Sequence, residues 1–182
     1  MKVSAIIAEY NPLHNGHIFH INKTKEITNC DGLIGVLSGN FVQRGQPALL
    51  DKWTRAKLAV LNGIDLVIEL PAVYSISSAE FFSYGAISLL NSLNIVDFLC
   101  FGSESGDLKL IYYLSNILQN PPSEYSCLLK KYVSLGLPYF TARSKALLKL
   151  ISKDIDINFT KSIETMICLL YTSDAADEGL GV

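Results

Sequence analysis

All three histidines of the chain, His14, His17 and His20, lie in one stretch, EYNPLHNGHIFHI at residues 9–21, beside Pro12 and Gly16. A helix opening at His17 would let His14 and His17, three apart, project to one side. There they can donate hydrogen bonds to phosphate oxygens as negative charge builds in a transition state. The N–H groups of a first helical turn and the helix dipole favour the same anion. Gly16 lets a bulky phosphate approach the backbone, and Pro12 fixes the path into the loop. The chemistry this points to is nucleotide handling. Two other readings stand beside it: a zinc site on the three histidines, for which no fourth ligand is evident, and structural packing. No residue is assigned to a metal. His20 reads as a helix residue lining or flanking the site, and Lys23 as a cation that reaches phosphate or stays solvated.

The elements that must position these groups follow from four apolar runs: VSAIIA at 3–8, GLIGVL at 32–37, DLVIEL at 65–70 and DFLCF at 97–101. Continuous β-branched and aromatic runs of this length suit strands buried on both faces. Between them lie amphipathic stretches of crossover length: one after His17, one over 51–62 and one over 78–93. The alternation predicts an α/β fold, a doubly wound parallel sheet whose ligands bind beyond the carboxyl ends of the strands. Segments 9–16, 38–47, 71–77 and 102–107 fall at those ends. Beyond Asp107 the pattern is helical, through LKLIYYLSNIL, SEYSCLLKKYVSLG and YFTARSKALLKLIS. This gives a first domain over 1–107 and a helical extension over 108–167.

Several other side chains are candidates at the strand ends. In SGNFVQRGQPALLDKW, Ser38, Asn40, Gln43 and Arg44 can face the cleft, with Arg44 a clamp for phosphate or an RNA backbone, and an ordinary polar loop with a solvated Arg is the alternative. Gly39 and Gly45 permit sharp turns. Asp51 is a helix N-cap, followed by Lys52, Arg55 and Lys57. Cations there oppose the helix dipole, which makes sense if Lys52 or Arg55 faces a triphosphate or RNA, and surface placement is the alternative. Glu69 closes a buried strand, where it orients a donor or pairs with Lys52 or Arg55. Ser105 or Asp107 in FGSESGD can cap the next helix. Arg143 and Lys145, later in the chain, read as a solvated face or as phosphate or RNA contacts.

Composition narrows the class. The 182 residues are 49% hydrophobic and 18% charged, with a net charge of -2, which gives no broad footprint for nucleic acid. Any RNA must be held by a local patch or by protein outside this chain. No apolar run approaches the roughly 20 residues of a membrane span, and the start lacks a signal-peptide pattern, so a cytoplasmic protein without a membrane partner is expected. Cys30, Cys100, Cys127 and Cys168 have no CxxC spacing and read as reduced thiols. CLLYTSDAADE at 168–178 reads as the translation of a sequencing-library adapter, so 168–182 is expected to be a non-native tail on a truncated chain.

HNGH after the first strand resembles the HxGH signature of the nucleotidyltransferase superfamily, whose members attack the α-phosphate of ATP and release pyrophosphate. Together with EYNPLHNGHIFHI, SGNFVQRGQPALLDKWTRAKLAVLNGIDLVIELP, AEFFSYGAISLLNSL and FGSESGD, it makes the chain similar to the tRNA(Met) cytidine acetate ligase family. The likeness is strong over about 1–107 and weaker beyond. It implies a bacterial ligase that activates acetate as acetyl-adenylate and acetylates N4 of the wobble cytidine of elongator tRNA(Met). ATP is the implied cofactor, and Mg2+ and the oligomeric state are left open. The family's ATP-binding stretch falls on Ile7, Ala8, Glu9, Tyr10, Asn11, Pro12, Leu13, His14, Asn15, Gly16, His17, Ile18, Phe19 and His20, with a further contact at Gly102 and a helical-region counterpart at Asn158. Catalysis would rest on His14 and His17 with Lys23 and Arg44, and Ser38, Asn40, Arg55, Arg143 and Lys145 join Asn158 as contacts to ATP or tRNA. The rivals are an adenylyltransferase making a coenzyme or dinucleotide precursor, and a nucleotide- or tRNA-binding fragment without chemistry.

Overall fold

Alternation within the apolar runs builds the sheet. In β1 (Val3–Ala8), Val3, Ala5 and Ile7 point to one face and Ile6 and Ala8 to the other; in β2 (Gly32–Ser38), Ile34 and Val36 join the first set and Leu33 and Leu37 the second. With β3 (Leu66–Leu70) and β4 (Phe98–Cys100) they form a wholly parallel sheet in the order β3-β2-β1-β4. This is a computed structural model, and it describes residues 1–103 and 108–151. Ser105, Gly106, Asp107, Asn158 and the segment 168–182 lie outside the described residues.

Both faces of the sheet are covered. On one, Ile21 of α1 (Asn15–Thr28) and Ala59 of α2 (Lys52–Leu61) pack with Ile6, Leu33, Leu37 and Ile64. On the other, Ala86 and Leu90 of α4 (Ala79–Leu93) pack with Val3, Ala5, Ile34, Val36 and Leu70. This is the doubly wound arrangement expected from the sequence. Burial on both faces holds for β1 and β2 but not for β3 and β4: Leu66 is 48% exposed and Phe98 43%. Those two strands are the sheet edges, each with one strand neighbour. A single helical turn, α3 (Ala72–Ser75), also stands where the sequence suggested a loop.

The described residues fall into two compact units, Met1–Gly102 and a second beginning at Ser103. The second is a helical unit of α5 (Leu108–Gln119), α6 (Ser123–Ser134) and α7 (Tyr139–Ile151) around Leu114, Ile117, Tyr125, Ala146, Leu147 and Ile151. Among the described residues no helix is long and apolar enough to cross a membrane.

The chain winds outward from β1 through β2 to β3, then returns across the sheet to β4 on the far side of β1. The direction of winding therefore reverses between β1 and β4, and a ligand crevice opens beyond the carboxyl ends of strands at such a reversal. The loop after β1 carries the histidines and the loop after β4 carries Gly102, so the pairing of Ile6 with Cys100 brings both to that edge.

One close approach fixes how α3 meets α4. A Cβ at Gly85 would overlap the Tyr74 ring. Gly85→Ala should therefore cost about 1–3 kcal/mol through overpacking, read as a lowered thermal midpoint by circular dichroism. An unchanged midpoint would show that Tyr74 yields freely.

Candidate functional site

The turn from β1 into α1 is built around His14 and His17. His14 is the N-cap of α1, and its Nδ1 accepts the Gly16 N–H at 3.1 Å. The Nδ1 of His17 accepts the His14 N–H at 3.2 Å, so two imidazoles make the reciprocal capping box that Ser or Thr and Glu usually form. The His17 N–H turns to the His14 carbonyl at 2.9 Å. The sequence reading offered these first-turn N–H groups to an anion; those of Gly16 and His17 are instead already bonded within the turn. With Nδ1 accepting, each neutral imidazole carries its proton on Nε2. The rings stack with centroids 3.7 Å apart, and Tyr10 meets His17 edge-on at 4.8 Å. The two imidazoles thus form one rigid unit, and His17 is only 5% exposed.

Tyr10 makes the corner that puts them there. Its φ of 50° lies in the left-handed region, costing about 1–3 kcal/mol for a non-glycine residue. Near-complete burial of its ring against Ile6, Ile21 and Leu37 offsets that cost. The Asn11–Pro12 peptide that follows is cis.

Side chains from neighbouring loops brace this corner. Glu9, itself buried, accepts the Gln43 N–H on Oε1 at 2.6 Å, and the Gln43 side chain donates to the Ser77 carbonyl at 2.6 Å. Asn11 Oδ1 accepts the Leu49 N–H at 2.6 Å, and Asn40 Oδ1 the Lys52 N–H at 3.3 Å. Within the β2 loop, Phe41 bridges Pro47 in antiparallel fashion, with Gly45 at φ 75° supplying the reversal.

Arg55 does not stand where the sequence suggested, and neither does Ser38. Arg55 is wholly buried, and its guanidinium donates to the backbone carbonyls of Glu9, Ser38, Gly39 and Leu50 and to the Ser38 hydroxyl. Ser38 is 2% exposed and turned to Arg55. Neither is presented to a ligand, because unpaired carbonyls at the strand ends take up the guanidinium donors. Asp51 is the N-cap of α2 as expected, and the Thr54 hydroxyl and first-turn N–H groups hold its carboxyl below the ordinary range. Lys52 pairs with Glu69 at 2.6 Å, which accounts for that carboxylate.

The remaining candidates are dispersed. Lys23 is on an exposed flank of α1, paired with Glu26 at 2.8 Å and about 120° round the helix from His17. Arg44 and Asn40 are exposed on the β2 loop, Phe19 is exposed on α1, and Gly102 is exposed after β4. In the helical unit, Arg143 is half-buried and hydrogen-bonded to Tyr125, and Lys145 is exposed. Among the described residues no group of three or more His, Cys, Asp or Glu is gathered to hold a metal ion.

The HIGH Nucleotidyl Transferase family model matches residues 1–175. The chain belongs to that family. Within it, the chain is 58% identical over 156 residues to a Clostridium novyi protein named tRNA(Met) cytidine acetate ligase, covering 86% of this chain and 39% of that protein. A Clostridium tetani protein of the same name is 59% identical over 153 residues, covering 84% and 38%. The crystal structure of Thermotoga maritima TmcAL bound with alpha-thio ATP matches at a TM-score of 0.85 and 37% identity, over 93% of this chain and 41% of that one. The chain thus spans about two fifths of the length of the curated relatives it matches.

Two buried groups give this site measurable signatures. The Tyr10 hydroxyl has no hydrogen-bond partner among the described residues, and burial pushes its pKa up. Tyr10→Phe removes the orphan and should stabilise the protein by about 1 kcal/mol, seen as a raised thermal midpoint; a lowered midpoint would mean the hydroxyl is satisfied. His20 is held below the ordinary histidine value of 6.5 by burial. The unfolded chain then binds a proton at His20 before the folded one does, so its contribution is intact above pH 6.5 and is lost as the pH falls beneath it. Urea midpoints at about pH 7.5 and about pH 5.5 should differ less in His20→Leu than in the parent, and equal differences would refute the assignment.

Proposed function

We propose that this chain carries the ATP-binding and adenylating part of a tRNA(Met) cytidine acetate ligase. The observation that supports adenylation is the stacked His14–His17 pair that caps the N-terminus of α1 through Nδ1 of both rings, beside the sheet's reversal point. Imidazole N–H groups held in fixed direction suit charge that develops on an α-phosphate. Acetate and tRNA(Met) as substrates rest on the likeness to the named ligases, and ATP on the ligand of the Thermotoga maritima structure.

In the reaction, an acetate oxygen attacks the α-phosphorus of ATP and the bond to the β-phosphate oxygen breaks. Acetyl-adenylate forms and pyrophosphate leaves. The N4 amine of the wobble cytidine of elongator tRNA(Met) then attacks the acetyl carbonyl; AMP leaves and the amine gives up a proton. Acetate and ATP repel each other, so most of the barrier is one of positioning. His14 and His17 steady the α-phosphate, and the stretch from Ile7 to His20 with Gly102 holds the nucleotide. Arg44 on the β2 loop supplies positive charge toward pyrophosphate. Asn40, Arg143, Lys145 and Asn158 are assigned to ATP or tRNA. Residues 1–107 are the nucleotidyltransferase-like domain and 108–167 a helical extension.

The test is exchange of labelled pyrophosphate into ATP. His17→Asn is the informative variant, because the amide oxygen can replace Nδ1 in the cap while the Nε2–H is lost. Exchange should require acetate and fall about a hundredfold in His17→Asn. Exchange that proceeds equally without acetate overturns the ligase reading in favour of another adenylyltransferase.

A further inference from the structure

Arg55 is the largest fully buried side chain of the described residues, and it is a cation. Its Nη1 donates to the Glu9 carbonyl at 2.6 Å and the Ser38 hydroxyl at 3.3 Å; its Nη2 donates to the Ser38 carbonyl at 3.0 Å and to the Gly39 carbonyl; its Nε donates to the Leu50 carbonyl at 3.2 Å. These acceptors belong to three different places: the residue after β1, the end of β2 and the approach to α2. One planar group therefore fixes the exit of β1 against the exit of β2. The carboxylates of Glu9, Asp51 and Glu69 supply the negative charge that offsets its burial.

The backbone leaving Glu9 runs through the Tyr10 corner to the His14 cap, and the Glu9 carboxylate receives the Gln43 N–H of the β2 loop. Any drift of the Glu9 carbonyl would be passed along five residues to the imidazole pair. We infer that Arg55 is a positioning residue for phosphate recognition: without touching the nucleotide, it sets where the His14–His17 donors stand relative to the β2 loop. This rests on the reading that the site binds ATP.

Lysine cannot replace it, because an ammonium has no planar fork to span acceptors on two strands. The measurement is binding of ATP and of adenosine to the chain and to Arg55→Lys, with Leu90→Ala as a control for general loss of stability. Leu90 is buried on the opposite face of the sheet, in the cluster of Val3, Ala5, Ile34 and Val36. Arg55→Lys should weaken ATP about tenfold and leave adenosine within about twofold, while Leu90→Ala, assayed below its midpoint, binds both as the parent does. If Arg55→Lys does not fold, Ser38→Val is the variant to use. It replaces one acceptor with a methyl group and should weaken ATP a few-fold without affecting adenosine. Parent-like ATP binding in the variant overturns the inference, as does a proportionate loss of both ligands. Failure of the parent itself to bind ATP overturns the adenylation reading and this inference with it, an outcome recognisable because no variant is involved.

Discussion

A helix must satisfy the N–H groups of its first turn, and α1 does so with imidazole nitrogens. The rest of the site depends on that choice. Nδ1 of His14 and Nδ1 of His17 can accept only while unprotonated, so the cap and the charge state of the rings are one property. Full charge on both rings would break two hydrogen bonds and place like charges in stacked rings whose centroids are 3.7 Å apart. The first turn contains no acidic residue to relieve that repulsion. The cap therefore uses Nδ1 of both rings as acceptors, which leaves Nε2 to carry a ring proton. The helix that needs the cap also holds the donors in place.

The loops around the pair are tied to one another chiefly by side chains meeting backbone. Glu9 takes the Gln43 N–H, Gln43 reaches the Ser77 carbonyl, Asn11 takes the Leu49 N–H and Arg55 gathers carbonyls from both central strands. A parallel sheet makes such ties necessary. Its strand ends leave ladder groups unpaired at the same edge where the ligand must enter, and those groups still require partners. Polar residues in these loops are thus committed in large part to the scaffold, and their abundance alone overstates the number that face a substrate.

That commitment explains which parts were legible in the sequence. The apolar runs gave the strands to within a residue or two, and the turn between them gave the helix starts, because hydrophobic period and caps such as Asp51 are local signals. The weaker burial of β3 and β4 was not legible, since edge position follows from strand order and not from composition. The single turn of α3 is too short to show a period. Arg55 was misplaced because a cation early in a helix reads as outward-facing, whereas its direction is set by carbonyls 16, 17 and 46 residues away in sequence. One signal pointed inward: Arg55 is four residues before the buried Ala59, on the same face of α2. The histidine pair was legible as a pair, but its Nδ1 capping was not, because Ser, Thr, Asp and Asn are the residues normally read as caps.

The distribution of charge follows from the same economy. Arg55 lies buried among carboxylates, Lys52 is paired with Glu69, and Lys23 with Glu26. Three of the cations that the sequence offers near the nucleotide stretch are thus already balanced. What the β1–α1 turn holds with fixed direction is a set of dipoles: two stacked imidazoles and the capped end of α1. Dipoles held by a capped helix need no reorganisation when charge appears on a phosphate, and unlike exposed point charges they lose little to salt. The local sequence HNGH therefore encodes more than two side chains at a spacing. It encodes a helix terminus capped by the Nδ1 atoms of the same two rings.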